Sequence, residues 1–65
     1  MKKNSITPLS VREKQIFYLV KEGKTSKEIA DELNISFYTV QTHRETILWK
    51  LNAHNTPEAI NNYKE

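Results

Sequence analysis

Tyr38, Gln41, Thr42 and Glu45 follow one another at steps of three, one and three. On an α-helix those steps keep the four side chains to one side. Each can donate or accept hydrogen bonds, and none has an apolar reason to be there. The chemistry they offer is contact with base edges, of the kind a helix makes when it lies in a DNA major groove. Arg44 and Lys50 add positive charge nearby. The plainer reading is an amphipathic surface helix with a polar outside.

The element that must carry them is Ser36-Phe37-Tyr38-Thr39-Val40-Gln41-Thr42-His43-Arg44-Glu45-Thr46-Ile47-Leu48-Trp49-Lys50-Leu51. Val40, Ile47 and Leu51, with Leu48 beside them, form one apolar stripe at helical spacing. Ser36 precedes the run as an N-cap. From Phe37 to Leu51 the helix is about 22 Å long.

Shorter helices flank it. Ser10 and Glu13 have capping-box spacing, and Ile16, Phe17, Leu19 and Val20 supply an apolar side through Lys21. Gly23 then suits a left-handed helix stop. Thr25 and Glu28 repeat the capping box, and Ile29, Ala30 and Leu33 give a second helix ending near Leu33 or Asn34. Asn34-Ile35-Ser36 is a three-residue turn, so the second and central helices form a helix-turn-helix, with small Ala30 at the crossing and Ile35 plugging the corner. Asn52 can end the central helix by taking positive φ. A last helix opens either with Thr56 as N-cap and Pro57 after it, or with Asn55 and Glu58 as a capping box. Its narrow stripe is Ala59, Ile60 and Tyr63. The fold class expected is all-α with four helices. Residues 1–7 read as a flexible N-terminal arm, or a disordered leader, and residues 8–65 as the folded domain.

Composition narrows the functions. Sixty-five residues make one domain near the lower size limit for a core, and without cysteine neither disulfides nor thiolate metal sites can brace it. His43 and His54 lack ligand spacing, so no metal or other cofactor is expected. No apolar run has the length of a membrane span, and no signal-peptide segment follows Met1, which reads as soluble and intracellular. A net charge of +2 and a pI near 9.0 permit nucleic-acid binding. Glu28, Asp31 and Glu32 crowd the second helix, whereas Lys24, Lys27, Arg44 and Lys50 flank the reading face. Catalysis has little support: Thr42, His43 and Glu45 share one helix and cannot converge as a triad does, and the domain is too small to enclose a small-molecule pocket.

Four segments now stand in order: Leu9-Ser10-x-Arg12-Glu13; Glu22-Gly23-Lys24-Thr25-Ser26-Lys27-Glu28-Ile29-Ala30; Leu33-Asn34-Ile35-Ser36-x-x-Thr39-Val40-x-x-His43-Arg44; and Ile47-x-x-Lys50-Leu51 with Glu58-Ala59. From Leu9 to Ile60 the chain resembles the LuxR/GerE-type DNA-binding domain of bacterial transcription regulators. The resemblance implies a four-helix domain in a bacterial or phage cytoplasm, its third helix in the major groove of double-stranded DNA and its second across the backbone. It implies that Gln41, Thr42 and Glu45 face bases, with Tyr38 in the same row. Thr39, His43 and Lys50 then meet phosphate, with Arg44 beside them, as do Thr25, Ser26 and Lys27 at the start of the second helix. Exposed amides at a helix N-terminus are themselves a phosphate site. A homodimer through the last helix would make Ile60 and Tyr63 contact residues.

The chain also departs from that pattern. Gln41 stands where lysine or arginine is frequent, Glu45 where a hydrophobe or lysine is, Asn52-Ala53 for Gly-Val, and Thr56 for arginine. Glu45 is repelled by phosphate and fits only if it accepts from a cytosine amine or pairs with Arg44 or Lys50. Modest affinity is expected. Arg12 and Glu28 read as an ion pair between the first two helices, and Trp49 either packs on the first or fourth helix or marks a partner surface with its indole. His43 is either a phosphate donor or bonded to a backbone carbonyl. Phe37 and Tyr38 either brace sugar-phosphate or are simply exposed. Two other functions fit less well: a sigma-factor promoter-reading domain, and an interaction module that pairs with a full-length regulator and blocks it.

Overall fold

Each helix starts where a side-chain oxygen accepts the amide three residues on. In the computed structural model, which describes residues 8–63, these caps begin α1 (Val11–Lys21), α2 (Ser26–Leu33), α3 (Phe37–Lys50) and α4 (Thr56–Asn62), and no strand occurs among the described residues. Ser10 accepts from the Glu13 amide at 3.2 Å, Thr25 from Glu28 at 3.1 Å and Ser36 from Thr39 at 3.0 Å. Glu13 and Glu28 return the bond at 2.8 Å, so both expected capping boxes form. For α4 the cap is Asn55, which accepts from the Glu58 amide at 2.9 Å, and Thr56 and Pro57 open the helix. The box stays open because Glu58 reaches one residue further back, to the His54 amide at 2.6 Å and its ring at 3.1 Å. Those bonds, the amide first, hold the Glu58 carboxyl below its ordinary pKa.

One stop device ends the first three helices. Gly23, Asn34 and Asn52 take left-handed φ values of 94°, 58° and 55°. The amides that follow them reach back to Leu19, Ala30 and Leu48 at 3.1, 3.0 and 2.9 Å. Gly23 and Asn52 were expected to do this. Asn34 does so as well, and that left-handed residue is what turns α3 away from α2.

The core gathers Leu9, Ile16, Phe17, Ile29, Ala30, Val40, Ile47, Leu51 and Ala59. Burying a large aliphatic or aromatic side chain of this kind contributes about 1.5–3 kcal/mol. α3 packs against each of the other three helices, so its buried stripe is common to all their interfaces. Asn62 ties α4 to the end of α3 by donating to the Leu51 carbonyl at 2.9 Å. Tyr63 closes α4 on α1, with its ring centroid 4.9 Å from Phe17 in an edge-on contact.

Two expectations are corrected here. Trp49 is 63% exposed, so it is not a core residue buried against α1 or α4. It lies roughly 200° around the helix from Ile47, on the outward side. The ion pair holding α1 is also not Arg12 with Glu28. Glu28 serves the α2 cap, and among the described residues the pair to α1 is Lys50 with Glu13 at 2.7 Å. The two side chains are 21% and 8% exposed. Lys50, expected on phosphate, is thereby held within the fold. It lies one turn beyond Ile47 on the α1 side of α3.

Burial pushes the Glu13 carboxyl pKa up, but the bond from Lys50, the Ser10 amide, the Lys50 charge and the Ser10 side chain outweigh it, leaving the pKa below the ordinary 4.5. The folded chain therefore binds that proton less well than the unfolded chain. The pair's contribution is complete above the ordinary value and fades as pH falls through the lower, folded one. Urea denaturation between about pH 6 and about pH 3 should show a steeper loss for the wild type than for Glu13→Gln. Parallel profiles would refute the linkage. Lys50→Met, which strands the carboxylate, should cost about 1–3 kcal/mol at neutral pH. Thermal melts will read this as roughly 4–8 °C per kcal/mol.

Candidate nucleic-acid interface

The cap at Ser36 and the buried stripe fix which side of α3 faces outward. Tyr38 (78% exposed), Thr42, Glu45 and Trp49 recur at i, i+4, i+7 and i+11 and form one exposed row about 16 Å long. Gln41 is exposed beside this row, on the side toward α2. An open groove there is lined by Thr25, Ser26 and Lys27 from α2, by Phe37, Gln41, Arg44, Glu45 and Leu48 from α3, and by Asn55 and Thr56 ahead of α4. The first turn of α2 and the polar side of α3 thus share one concave surface. The amides of that turn and the Lys27 ammonium place positive potential at its edge.

A polar network joins residues of the groove wall. Arg44 donates through Nη1 to Ser26 Oγ at 2.9 Å and through Nη2 to Thr56 Oγ1 at 3.1 Å. The Ser26 hydroxyl donates in turn to Gln41 Oε1. Arg44 lies between Val40 and Ile47 on the buried stripe, so its stem covers core and its guanidinium reaches polar partners on α2 and α4. It joins three helices and is half-buried. Ser26 is buried. Two groups expected on phosphate, Ser26 and Arg44, therefore point into the fold. Glu45 does not pair with either expected cation, because Arg44 is engaged here and Lys50 holds Glu13. It is exposed and makes no hydrogen bond or ion pair among the described residues.

Comparison with known proteins bears directly on this surface. Residues 7–62 match the luxR family of bacterial regulatory proteins, GerE. The chain belongs to that family. Among curated relatives, it is 48% identical over 58 residues to the transcriptional regulatory protein DesR of Bacillus subtilis, covering 89% of this chain and 29% of DesR. It is 46% identical over 57 residues to the uncharacterized response regulatory protein YgeK of Escherichia coli, covering 88% of this chain and 39% of YgeK. To the HTH-type regulator MalT of Vibrio parahaemolyticus it is 39% identical over 54 residues, 83% of this chain and 6% of MalT. The chain thus spans well under half the length of these relatives.

The other residues expected at a luxR-family site fall as follows. Thr25 and Lys27 are exposed at the groove edge. Thr39 is half-buried and accepts from the Ser36 hydroxyl at 2.9 Å. His43 is half-buried and forms no hydrogen bond among the described residues, so the carbonyl bond considered for it is absent. Phe37 and Tyr38 are exposed. Of the two residues expected to pair copies, Ile60 is 38% exposed, whereas Tyr63 packs on Phe17 and Tyr18 of its own chain. Lys21 Nζ lies 5.5–5.7 Å from the Phe17, Tyr18 and Tyr63 rings. Residues 1–7, read as an arm, lie outside the described residues. Among the described residues no group of three or more metal-ligating side chains occurs, and no helix is long and apolar enough to cross a membrane.

Sequence reasoning missed two members of this surface. Trp49 continues the spacing of Tyr38, Thr42 and Glu45, and that periodicity was the signal for it. Thr56 had no such signal, since its role depends on the tertiary approach of Arg44. Arg44→Met keeps the stem and removes both bonds. It should lower stability by about 1–2 kcal/mol, a fall of several degrees in Tm. An unchanged Tm would mean that Arg44 is not a strut.

Proposed function

We propose that this chain is a sequence-specific, double-stranded DNA-binding domain of a bacterial transcription regulator, working in the cytoplasm without catalysis, with α3 in the major groove. The observation that carries the reading is the shared groove, in which exposed Gln41 and Glu45 of α3 stand beside the first turn of α2. α3 is narrow enough for a major groove, and its exposed row offers donors and acceptors to base edges. Gln41, Thr42 and Glu45 read bases, with Tyr38 at the entry. Thr25 and Lys27, helped by the α2 amides, hold one phosphate, and Thr39 and His43 lie against the other strand's backbone. Glu45, lacking an intramolecular cation, accepts from a cytosine amine. Membership of the luxR family and the names of the regulators it resembles support this reading. Neither the sigma-factor reading nor the pairing module gains support from them. If two copies pair, they do so through Ile60 on α4, and half-sites then lie about one helical turn apart.

Titration with random duplex at low and high salt tests the proposal. Binding should weaken as salt rises, because phosphate contacts release counterions. A flat signal at low salt would remove the DNA reading. Lys27→Ala should weaken binding to every duplex alike and flatten the salt dependence by about one ion, whereas Gln41→Ala should change which sequence is preferred. Equal effects on all sequences from both variants would contradict the assigned roles.

A further inference from the structure

We propose that Ser26 fixes the polarity of Gln41, so that this chain selects guanine over adenine at the base Gln41 faces. The inference rests on the DNA-binding reading above and concerns which base that reading selects. A guanidinium can only donate hydrogen bonds, so at 2.9 Å from Arg44 Nη1 the Ser26 oxygen is an acceptor. A serine hydroxyl has one proton, and among the described residues its partner is Gln41 Oε1. The chain of bonds therefore has a direction, from Arg44 through Ser26 to Gln41, and each link strengthens the next. Exchanging the oxygen and nitrogen of Gln41 would give Ser26 a second donor and leave its own proton without a partner in a buried position.

The consequence lies at the exposed end of Gln41. A free glutamine reads adenine with both ends of its amide, accepting from N6 and donating to N7. Here the accepting oxygen is turned toward Ser26, which takes one of its two lone pairs. The group of Gln41 that no partner engages among the described residues is its amino end, which carries two protons. Guanine presents two adjacent acceptors, O6 and N7, to such a group. Thymine presents one, adenine places a donor beside its single acceptor, and cytosine presents only a donor. The order of preference is guanine, thymine, adenine, cytosine. Ser26 is a positioning residue in this scheme: it acts on the base only through Gln41.

Selection from a random duplex pool, using the full chain, tests this. The relevant position is the one whose preference disappears in Gln41→Ala. In the wild type it should hold guanine over adenine by roughly fivefold or more. Gln41→Lys, which also only donates, should keep guanine, and Gln41→Glu should turn to cytosine. Ser26→Ala frees the amide and should bring adenine to parity, with a melt confirming that the variant folds. Adenine at that position in the wild type overturns the inference, as does guanine preference unchanged in folded Ser26→Ala. If Ser26→Ala does not fold, the wild-type and Gln41→Lys selections decide by themselves. Salt-sensitive binding with no Gln41-dependent position overturns this inference alone, whereas no binding at any salt overturns the DNA reading as well.

Discussion

Burial of Val40, Ile47 and Leu51 along one side of α3 is the constraint on which the rest depends. α1, α2 and α4 all pack on that stripe, so none can shift without disturbing it. In a chain this small there is no second core to compensate. The buried stripe also determines what is exposed. With Val40 and Ile47 facing inward, the helical period leaves Tyr38, Thr42, Glu45 and Trp49 outward. Packing and recognition are thus two sides of a single rod.

The polar residues bordering that stripe complete the arrangement. Arg44 and Lys50 sit next to core positions, and both direct their charges to partners in the fold. Lys50 meets Glu13 of α1, and Arg44 meets Ser26 of α2 and Thr56 at the start of α4. Each bond links two helices that the hydrophobic effect alone would hold without a fixed register, because burial is non-directional. Arg44 and Lys50 therefore serve the structure, whereas Lys27 of α2 stays exposed at the groove edge.

Much of this was legible in the sequence, and the boundary between what was and what was not follows the range of the interactions. Caps at Ser10, Thr25 and Ser36 depend on residues three apart, so spacing alone identifies them. The same holds for the stripe of α3 and for the stops at Gly23 and Asn52. The α4 cap had two local solutions that spacing did not separate: Asn55 accepts the Glu58 amide, while the Thr56 hydroxyl accepts from Arg44. The partners of Arg44 and Lys50 depend on which helices meet and at what height, which no local pattern encodes. Trp49 was misread because its size argues for burial while its position on the helix argues against it. Position prevailed.

On the roles proposed for Gln41 and Glu45, the surface discriminates more by penalty than by attraction. In the proposed binding mode, with Arg44 and Lys50 engaged, the phosphate contribution, which is the same for every sequence, is small. Glu45 lowers it further. Against a cytosine amine, the Glu45 carboxylate makes a charge-assisted hydrogen bond. Against guanine O6 or thymine O4, it meets another acceptor while losing water, which costs more than a missing bond. Gln41, whose oxygen is engaged by Ser26, is equally one-sided in the proposed scheme. Two adjacent side chains that each tolerate few bases give a large ratio between right and wrong sites even where total affinity is modest. A lysine at either position would raise binding to all DNA, and it would narrow that ratio.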